Sequence, residues 1–306
     1  MTAASLRQRL ALPVIAAPMF IVSNPDLVIA QCQAGVVGSF PALNARPQEA
    51  LDEWLTRIHE AVGDAPFAVN QIVHQSNARL EHDMDVCLRH QVPIIITSLR
   101  PPGDVVKQVH AYGGLVFHDV ISVRHAQKAL EEGVDGLILV CAGAGGHAGT
   151  LSPFALVTEV RKFFKGPLAL AGAIGTGRGI LAAQALGADF AYMGTRFIAT
   201  REANASQAYR DAIVAGSAAD VVYTPFFTGV AGNYLKASVI AAGLDPDNLP
   251  VKDKTAMDFG GGAAKAWRDI WGVGQGIGAI DDVPTTAELV ARLRTEYAEA
   301  RAALCG

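Results

Sequence analysis

Two stretches of this chain decide its fold: residues 134–149, VDGLILV followed by CAGAGGHAG, and residues 168–179, LALA followed by GAIGTGRG. Each begins with a mostly apolar run, which is typical of a buried parallel strand, and continues into a turn rich in glycine. Glycine allows backbone angles and close approaches that other residues forbid, so a flat or phosphorylated ligand can lie directly against the main chain. The two stretches therefore predict strand ends that face a small ligand.

Short apolar runs like these recur along the chain and alternate with segments of helical spacing, with a period of about 20 to 30 residues. This alternation predicts an α/β fold, a (β/α)8 TIM barrel. A doubly wound sheet is the alternative, but it usually carries its phosphate-binding glycines after the first strand, whereas here they follow the sixth and seventh runs. The eight predicted strands are residues 14–17, 36–40, 67–70, 93–97, 114–118, 136–140, 168–171 and 190–193.

The alternation stops after residue 200. Residues 201–262 contain one helical pattern, at 203–215, followed by sequence rich in tyrosine, phenylalanine, proline and glycine. We interpret residues 201–262 as an inserted segment that forms a lid over the barrel mouth. Beyond it, a charged amphipathic pattern that follows a capping threonine predicts the last barrel helix. The predicted barrel domain thus comprises residues 1–200 and 263–306, with the inserted segment between the eighth strand and its helix.

The composition limits the classes of partner. The net charge of the 306 residues is −4 without a dense lysine or arginine cluster, which argues against nucleic acid or an anionic membrane and favours a small molecule. The four cysteines are scattered without a Cys-x-x-Cys pair, as expected for reduced thiols in a cytoplasmic protein. We expect neither secretion nor a membrane span. The sequence leaves open whether the chain forms a homo-oligomer.

The ends of the predicted strands carry the candidate catalytic residues, because active sites of TIM barrels lie at the C-terminal ends of the strands. His147, alone in its glycine-rich turn, is the leading general acid or base, since a neutral imidazole accepts protons near pH 7. Asn70 offers both a donor and an acceptor to the polar edge of a heterocycle, although it could equally satisfy a turn. His118 and Asp119 are expected to form a hydrogen-bonded pair or a solvated strand end.

A phosphate site is predicted after the seventh and eighth strands. The sequence GAIGTGRG, residues 172–179, opens a helix whose free N–H groups and dipole favour an anion, and Gly194 with Thr195 would close the other side. The glycine spacing matches neither the Rossmann fingerprint nor a Walker A loop. The absence of a Gly-x-Ser-x-Gly elbow disfavours a covalent hydrolase, and the histidine spacing predicts no metal site.

Five motifs, in this order along the chain, resemble the nitronate monooxygenase family, formerly called 2-nitropropane dioxygenases, whose members are FMN-containing (β/α)8 barrels. The resemblance covers residues 12–200 and resumes at residues 271–282. The motifs are APM at 17–19, FAVN at 67–70, AGGHAG at 144–149, GAI at 172–174 with GRG at 177–179, and YMGTRF at 192–197.

This resemblance implies an enzyme that uses FMN and dioxygen to oxidise nitronates or nitroalkanes, with His147 as the catalytic histidine. Three positions depart from the family pattern: relatives often have glycine in place of Ala173, lysine in place of Asp119, and a glutamine or acidic residue near the position of Val140. The missing positive charge at Asp119 suggests a substrate other than simple nitroalkanes. The cofactor-binding residues that the resemblance implies are Pro18, Met19, Asn70, Asp119, Gly145, Gly146, Gly172, Ala173, Tyr192, Met193, Gly194 and Thr195.

Two other functions remain open. Flavin-dependent enoyl-acyl carrier protein reductases and some NADH:quinone reductases share most of these motifs, so an NAD(P)H-dependent reduction of a quinone or an activated C=C bond is the first alternative. The second is a flavin-free barrel enzyme acting on a sugar phosphate. For the oxidation of nitronates, aromatic residues would either close the pocket or form the core of the lid. These residues are Tyr223, Phe226, Phe227, Tyr234 and Trp271.

Overall fold

The computed structural model describes residues 3–250 and 269–305. Within them, no helix has the length and apolar character that crossing a membrane requires. The strands are β1 Val14–Ala16, β2 Gly38–Pro41, β3 Phe67–Val73, β4 Ile94–Leu99, β5 Leu115–Val120, β6 Gly136–Val140, β7 Gly146–His147, β8 Leu168–Ala171, β9 Phe190–Met193, β10 Val221–Thr224 and β11 Gly232–Leu235. The α-helices are α1 Ala3–Gln8, α2 Pro25–Gln33, α3 Ala50–Val62, α4 Leu80–Arg89, α5 Asp104–His110, α6 Val123–Glu131, α7 Pro153–Arg161, α8 Gly177–Leu186, α9 Thr195–Ile198, α10 Gln207–Ala215, α11 Lys236–Ala241 and α12 Thr286–Cys305.

Eight of these strands form one sheet in the order β1-β9-β8-β6-β5-β4-β3-β2, and every pairing within it is parallel. A parallel bridge between Ile15 and Val37 joins the two end strands and closes the sheet into a barrel. Helices connect successive barrel strands, which is the (β/α)8 arrangement. The predicted fold is confirmed, and all eight predicted strands are present.

Side chains alternate between the inside of the barrel and the surrounding helices, as the pleat of a strand requires. Ile138 packs inside the barrel with Phe117 and Phe190, whereas its neighbours Leu137 and Leu139 belong to the cluster beneath the helices. Helix α1 precedes β1 and adds Leu6 to the interior cluster. The barrel is therefore filled by side chains and cannot act as a pore.

The last helix, α12, begins at a capping box. The Glu288 main-chain N–H donates to Thr285 Oγ1 at 3.2 Å, and the Thr285 N–H donates back to Glu288 Oε2 at 2.8 Å. The helix packs against α8 and α2 and so completes the outer layer of the barrel. The predicted final barrel helix and its threonine cap are both confirmed.

The inserted segment contains a second sheet that the sequence did not predict. Strand β11 pairs antiparallel with β10 on one side and with β7, the strand of His147, on the other. Residues 251–262 of the inserted segment, and the predicted domain boundary after residue 262, lie outside the described residues. The part that is described packs its second sheet directly against the glycine-rich turn after β6.

Candidate functional site

A cavity of about 710 Å³ lies at the C-terminal ends of the barrel strands. Its walls come from the turns that follow the barrel strands, from the inserted segment and from residues 271–280. The cavity brings together His147 and eleven of the twelve cofactor-binding residues that the resemblance implies: Pro18, Met19, Asn70, Asp119, Gly145, Gly146, Gly172, Ala173, Tyr192, Gly194 and Thr195.

Met193 is the exception, because it does not line the cavity. Its side chain is fully buried in the cluster between the barrel and the helices. Tyr192, the preceding residue on β9, lines the cavity instead. Since consecutive side chains on a strand point to opposite faces, both residues cannot face the same cavity.

Asn70 presents an acceptor to the cavity. Its amide Nδ2 donates to the Ile96 carbonyl oxygen at 3.2 Å and to Ser98 Oγ at 2.8 Å, so both amide hydrogens are used within the protein. Oδ1 is left as the group that a ligand can reach. The sequence predicted a donor and an acceptor here, whereas the structure leaves the acceptor.

Asp119, near the end of β5, is linked to this asparagine through Ser98 on β4. Its carboxylate accepts hydrogen bonds from the Ser98 hydroxyl and from the Leu99 main-chain N–H. Burial nevertheless raises the pKa of the carboxyl group to about 6, because the two donors offset only part of the cost of removing a charge from water. Asn70, Ser98 and Asp119 thus form one chain of hydrogen bonds along the rim of β3, β4 and β5.

His118 takes no part in this chain, so the predicted pairing with Asp119 is wrong, as is the alternative of a solvated strand end. The two residues are neighbours on β5 and point to opposite faces. His118 Nδ1 is hydrogen-bonded to Thr97 Oγ1 at 2.8 Å, and the residue is buried away from the cavity. Burial lowers the pKa of its imidazole to about 4.

His147 also lines the cavity. It sits on β7, and its Nε2 is 2.7 Å from the Oγ1 of Thr228 in the inserted segment. Burial lowers the pKa of the imidazole to about 4, so the ring is uncharged at neutral pH. A neutral imidazole beside a cavity can accept a proton from a bound ligand.

The inserted segment holds the turn around His147 through main-chain and side-chain hydrogen bonds. The Ala148 N–H donates to the Ala231 carbonyl at 3.3 Å, and Asn233 Nδ2 donates to the Ala144 carbonyl at 2.7 Å. The Tyr223 hydroxyl donates to the Ala148 carbonyl at 2.8 Å. The position of His147 is therefore set by residues outside the barrel.

A glycine-lined cradle forms where the turns after β8 and β9 meet residues 272–276. Within the described part of the chain, no partner is found for the main-chain N–H groups of Ala173, Ile174 and Gly175. Thr195 Oγ1 accepts the Gly274 N–H at 2.8 Å, which leaves its hydroxyl hydrogen for a ligand. These donors, grouped at one end of the cavity, can bind an anion.

The cradle is held by main chain packed against main chain. A Cβ at Gly276 would lie 2.8 Å from the Ala173 carbonyl oxygen, and one at Gly274 would lie 2.7 Å from that of Gly143. Any side chain at these two positions would force the three turns apart. The glycines after the sixth and seventh predicted strands, and their partners near residue 275, therefore fix the shape of the site.

The glycines at the start of α8 have a different role from the one predicted. The N–H of Gly177 donates to Glu296 Oε2 at 2.6 Å, and that of Gly179 donates to the N-cap Thr176 at 3.0 Å. A Cβ at Gly177 would lie 2.3 Å from the Leu293 carbonyl. Gly177 thus serves the packing of α8 against α12, and the anion donors lie upstream at residues 173–175.

Strained backbone is concentrated at the cavity. Among the described residues, four non-glycine residues have positive φ, and three of them line the cavity: Ile21 at 68°, Leu99 at 80° and Ala173 at 55°. Such conformations cost free energy and persist only where the surroundings hold them. Ile21, for example, donates its N–H to Asn44 Oδ1 at 2.9 Å, and its carbonyl accepts from Asn204 Nδ2 at 3.0 Å.

The aromatic residues of the predicted lid divide into two groups. Trp271 lines the cavity and stacks on Tyr209 with ring centroids 4.9 Å apart. Tyr223, Phe226, Phe227 and Tyr234 do not line the cavity, and Phe227 packs edge-on against both Phe226 and Tyr234. Tyr234 and Phe227 therefore belong to the core of the inserted segment, whereas Tyr223 is exposed.

Comparison with known proteins identifies the family. The family model described as nitronate monooxygenase matches residues 78–296. The chain belongs to this family. A nitronate monooxygenase of Paraburkholderia phytofirmans is 29% identical over 93% of this chain and 92% of the relative. A carboxyl-CoA dehydrogenase of Rhodococcus jostii is 28% identical over 74% of this chain and 64% of the relative.

Solved structures support the same barrel fold. A nitroalkane oxidase from Streptomyces ansochromogenes aligns over 98% of this chain and 99% of that chain with a TM-score of 0.85 at 24% sequence identity. FabK from Thermotoga maritima aligns over 100% and 99% with a TM-score of 0.81, also at 24% identity. At this level of identity the likeness shows the fold alone.

Several residues of the site could not be recognised, or were not predicted, from the sequence. Ser98 and Leu99 directly follow an apolar strand, so the position that identified Asn70 and Asp119 could also have identified them. Thr228 gave no signal, because its contact with His147 spans 81 residues and depends on the pairing of β7 with β11. Ile21 gave none either, since a left-handed backbone at isoleucine is not predicted by its side chain.

Proposed function

We propose that this member of the nitronate monooxygenase family oxidises nitronates, and neutral nitroalkanes after their deprotonation, with FMN as cofactor and dioxygen as co-substrate. The observation that carries the proposal is one cavity that combines an anion cradle with a buried, uncharged histidine in a chain of this family.

The residues of the cavity fit FMN. The N–H groups of residues 173–175 and the Thr195 hydroxyl would hold the phosphate at the cradle. The remaining residues of the site would contact the ring, and among them Asn70 and Asp119 offer acceptors to its N–H edge. When bound, FMN supplies the electron transfer between the organic substrate and dioxygen.

His147 would remove the α-proton of a neutral nitroalkane. Burial lowers the pKa of its imidazole to about 4, so the ring is uncharged across the neutral range. The same low pKa makes it a weak base for a C–H proton, since catalysis by a general base is most efficient when its pKa lies near the working pH. A preformed nitronate needs no such step, and we therefore expect nitronates to be the better substrates.

The inserted segment would act as a lid and complete the substrate pocket. Asn204, Ser206, Tyr209 and Val230 from residues 201–250 line the cavity. The hydrogen bonds from this segment to Ala144 and Ala148 support its stable packing against the barrel. We also infer a reducing cytoplasmic setting, which the buried free thiols of Cys32, Cys87 and Cys141 support.

Cofactor release and anaerobic reduction test the proposal together. The protein should be purified, heated to release its cofactor, and the cofactor identified by chromatography. The holoenzyme should then be mixed without oxygen, in separate samples, with a nitronate, the matching nitroalkane and NADH. We expect FMN, fast bleaching with the nitronate, slower bleaching with the nitroalkane and recovery of colour when oxygen returns.

Each alternative function gives a different result in these samples. Bleaching by NADH, without bleaching by either nitro compound, would replace the proposal by an NAD(P)H-dependent reductase. A colourless protein that takes up no FMN would point to the flavin-free barrel. The dehydrogenase of Rhodococcus jostii among the relatives makes the NADH sample a necessary part of the experiment.

A further inference from the structure

The rim formed by Asn70, Ser98 and Asp119 presents only acceptors to the cavity. The Asn70 amide donates one hydrogen to the Ile96 carbonyl at 3.2 Å and the other to Ser98 Oγ at 2.8 Å. Since the Ile96 carbonyl can only accept, it fixes the orientation of this amide. The Ser98 hydroxyl in turn donates its hydrogen to Asp119 Oδ2. Asn70 Oδ1 and the remaining lone pairs of the Asp119 carboxylate are therefore what the rim offers to a ligand.

No ion pair to Asp119 is found within residues 3–250 and 269–305. Strands β4 and β6, which flank it, contain no titratable residue. Arg196 is paired with Asp282 at 2.7 Å, and His147 is uncharged at neutral pH. Burial and the Asp119 carboxylate both raise the pKa of the Tyr192 phenol, so that hydroxyl keeps its hydrogen. The other titratable residues that line the cavity are Tyr192 from β9, Tyr209 from α10, His125 from α6, His147 from β7 and Arg196 from α9.

The polar edge of an oxidised isoalloxazine ring does not match two acceptors. It carries one N–H group, which lies between two carbonyl oxygens, and the neighbouring ring nitrogens carry only lone pairs. One assignment satisfies both groups of the rim: the N–H donates to Asn70 Oδ1, and a protonated Asp119 donates to a lone pair of the ring. The Asn70 amide cannot supply that second donor, because both of its hydrogens are in use. A buried carboxylate left facing a lone pair would be neutralised instead.

We propose that Asp119 binds oxidised FMN as the neutral acid, so that cofactor binding at neutral or alkaline pH transfers one proton from solvent to this carboxylate. The protonated carboxyl group has one donor and keeps lone pairs for the Ser98 hydroxyl and the Leu99 N–H, so the rim need not rearrange. The inference rests on the proposed function in one respect, the use of FMN as cofactor. It does not depend on the substrate.

The cofactor-free protein determines the pH range of the effect. Burial raises the pKa of Asp119 to about 6, so this carboxyl group is about 99% ionised at pH 8 and about 10% ionised at pH 5. Binding should therefore take up about one proton at pH 8 and about 0.1 proton at pH 5. Between pH 7 and pH 8 the Kd for the cofactor should rise about tenfold, because each binding event consumes one proton.

Isothermal titration calorimetry in two buffers with different ionisation enthalpies measures the number of protons taken up. Riboflavin is titrated into the cofactor-free protein at pH 5 and pH 8, because it lacks the phosphate that itself titrates near pH 6. FMN is titrated at pH 8. We expect about one proton for both ligands at pH 8 with the wild type, and none with Asp119→Asn. Asp104→Asn is the matched control, since it removes an exposed carboxylate of α5 that does not line the cavity, and it should behave as the wild type does.

The affinity for FMN provides the second readout, measured by quenching of flavin fluorescence. In Asp119→Asn the Kd should be the same at pH 7 and pH 8, because an amide does not titrate in this range. At pH 8 this variant should also bind FMN more tightly than the wild type does. In Ser98→Ala the rise of the Kd between pH 7 and pH 8 should be smaller than in the wild type, because the lost hydrogen bond leaves Asp119 with a higher pKa.

Binding of FMN and riboflavin at pH 8 without uptake of a proton would overturn the inference and leave the proposed cofactor in place. Uptake that persists in Asp119→Asn would also overturn it, because another group would then carry the proton. A protein that binds neither flavin would overturn both the inference and the proposed function. Uptake of one proton by a protein that oxidises no nitro compound would support the inference and reject the proposed reaction.

Discussion

The two polar sides of the cavity are held by different parts of the chain. On one side, Asn70, Ser98 and Asp119 come from β3, β4 and β5, and their hydrogen bonds run between adjacent barrel strands. On the other, His147 depends on Thr228 and β11 of the inserted segment. The first side is built by the barrel itself, and the second is completed only when a segment that is distant in sequence docks on it.

Because of this difference, substitutions in the inserted segment and substitutions on the barrel strands should affect different parts of the site. Changes in the inserted segment can alter the base and the pocket around it while the acceptors on β3 to β5 stay in place. Changes on the barrel strands act on the acceptor side and leave His147 untouched. The three predictions below test this division.

The largest expected effect is on His147 itself. His147→Ala should fold and keep its cofactor, because the ring contributes to one wall of the cavity and not to the cradle. Its kcat/KM for a neutral nitroalkane should fall by roughly 10²- to 10⁴-fold, the usual contribution of a positioned general base. Steady-state kinetics with a matched nitroalkane and nitronate measure both values, and the loss should be smaller for the nitronate. Equal activity of variant and wild type on both would exclude His147 as the base.

The barrel and the inserted segment also differ in how much of their structure could be predicted from the sequence. The eight strands follow from apolar runs, and Asn70 and Asp119 follow from their place at strand ends, because a repeated local pattern determines both. Strands β10 and β11 lack such a pattern, since they form by pairing with each other and with β7. The side chains of Met193 and His118 point away from the cavity, because a position at a strand end does not determine which side chain of a neighbouring pair faces it.

The second prediction concerns Asp119 and the barrel side. Its folded pKa of about 6 lies above the value of about 3.9 expected in the unfolded chain, so the folded state holds the proton more tightly. Stability is therefore lost as the pH rises from about 4 to about 6, and it remains lower above that range. Asp119→Asn has no carboxyl group at this position and should not show this loss. Its free energy of unfolding should therefore rise by about 2 kcal/mol relative to that of the wild type between pH 4 and pH 7.

Urea unfolding of the two cofactor-free proteins across this pH range measures the difference. Ser98→Ala should move the midpoint to higher pH, since the Ser98 hydroxyl lowers the pKa of Asp119. A difference between wild type and Asp119→Asn that does not vary with pH would mean that Asp119 keeps an ordinary pKa. Thr228→Val should leave the pH dependence unchanged, because the hydrogen bonds of Thr228 to His147 and Val230 involve neither Asp119 nor Ser98.

The smallest effect should appear at Ile21, where the barrel and the inserted segment each hold the same strained residue. Asn44, from the 3-10 helix Ala42–Asn44, accepts from the Ile21 N–H and donates to the carbonyls of Met19 and Ser23 at 3.0 and 2.8 Å. Asn204 makes one side-chain bond, to the Ile21 carbonyl. Asn44→Ala should therefore cost about 2 kcal/mol of stability and Asn204→Ala about 0.5 kcal/mol, measured by urea unfolding. If Asn204→Ala cost as much stability as Asn44→Ala, the inserted segment would hold Ile21 as strongly as the barrel does. The separation between barrel and inserted segment would then apply to His147 alone.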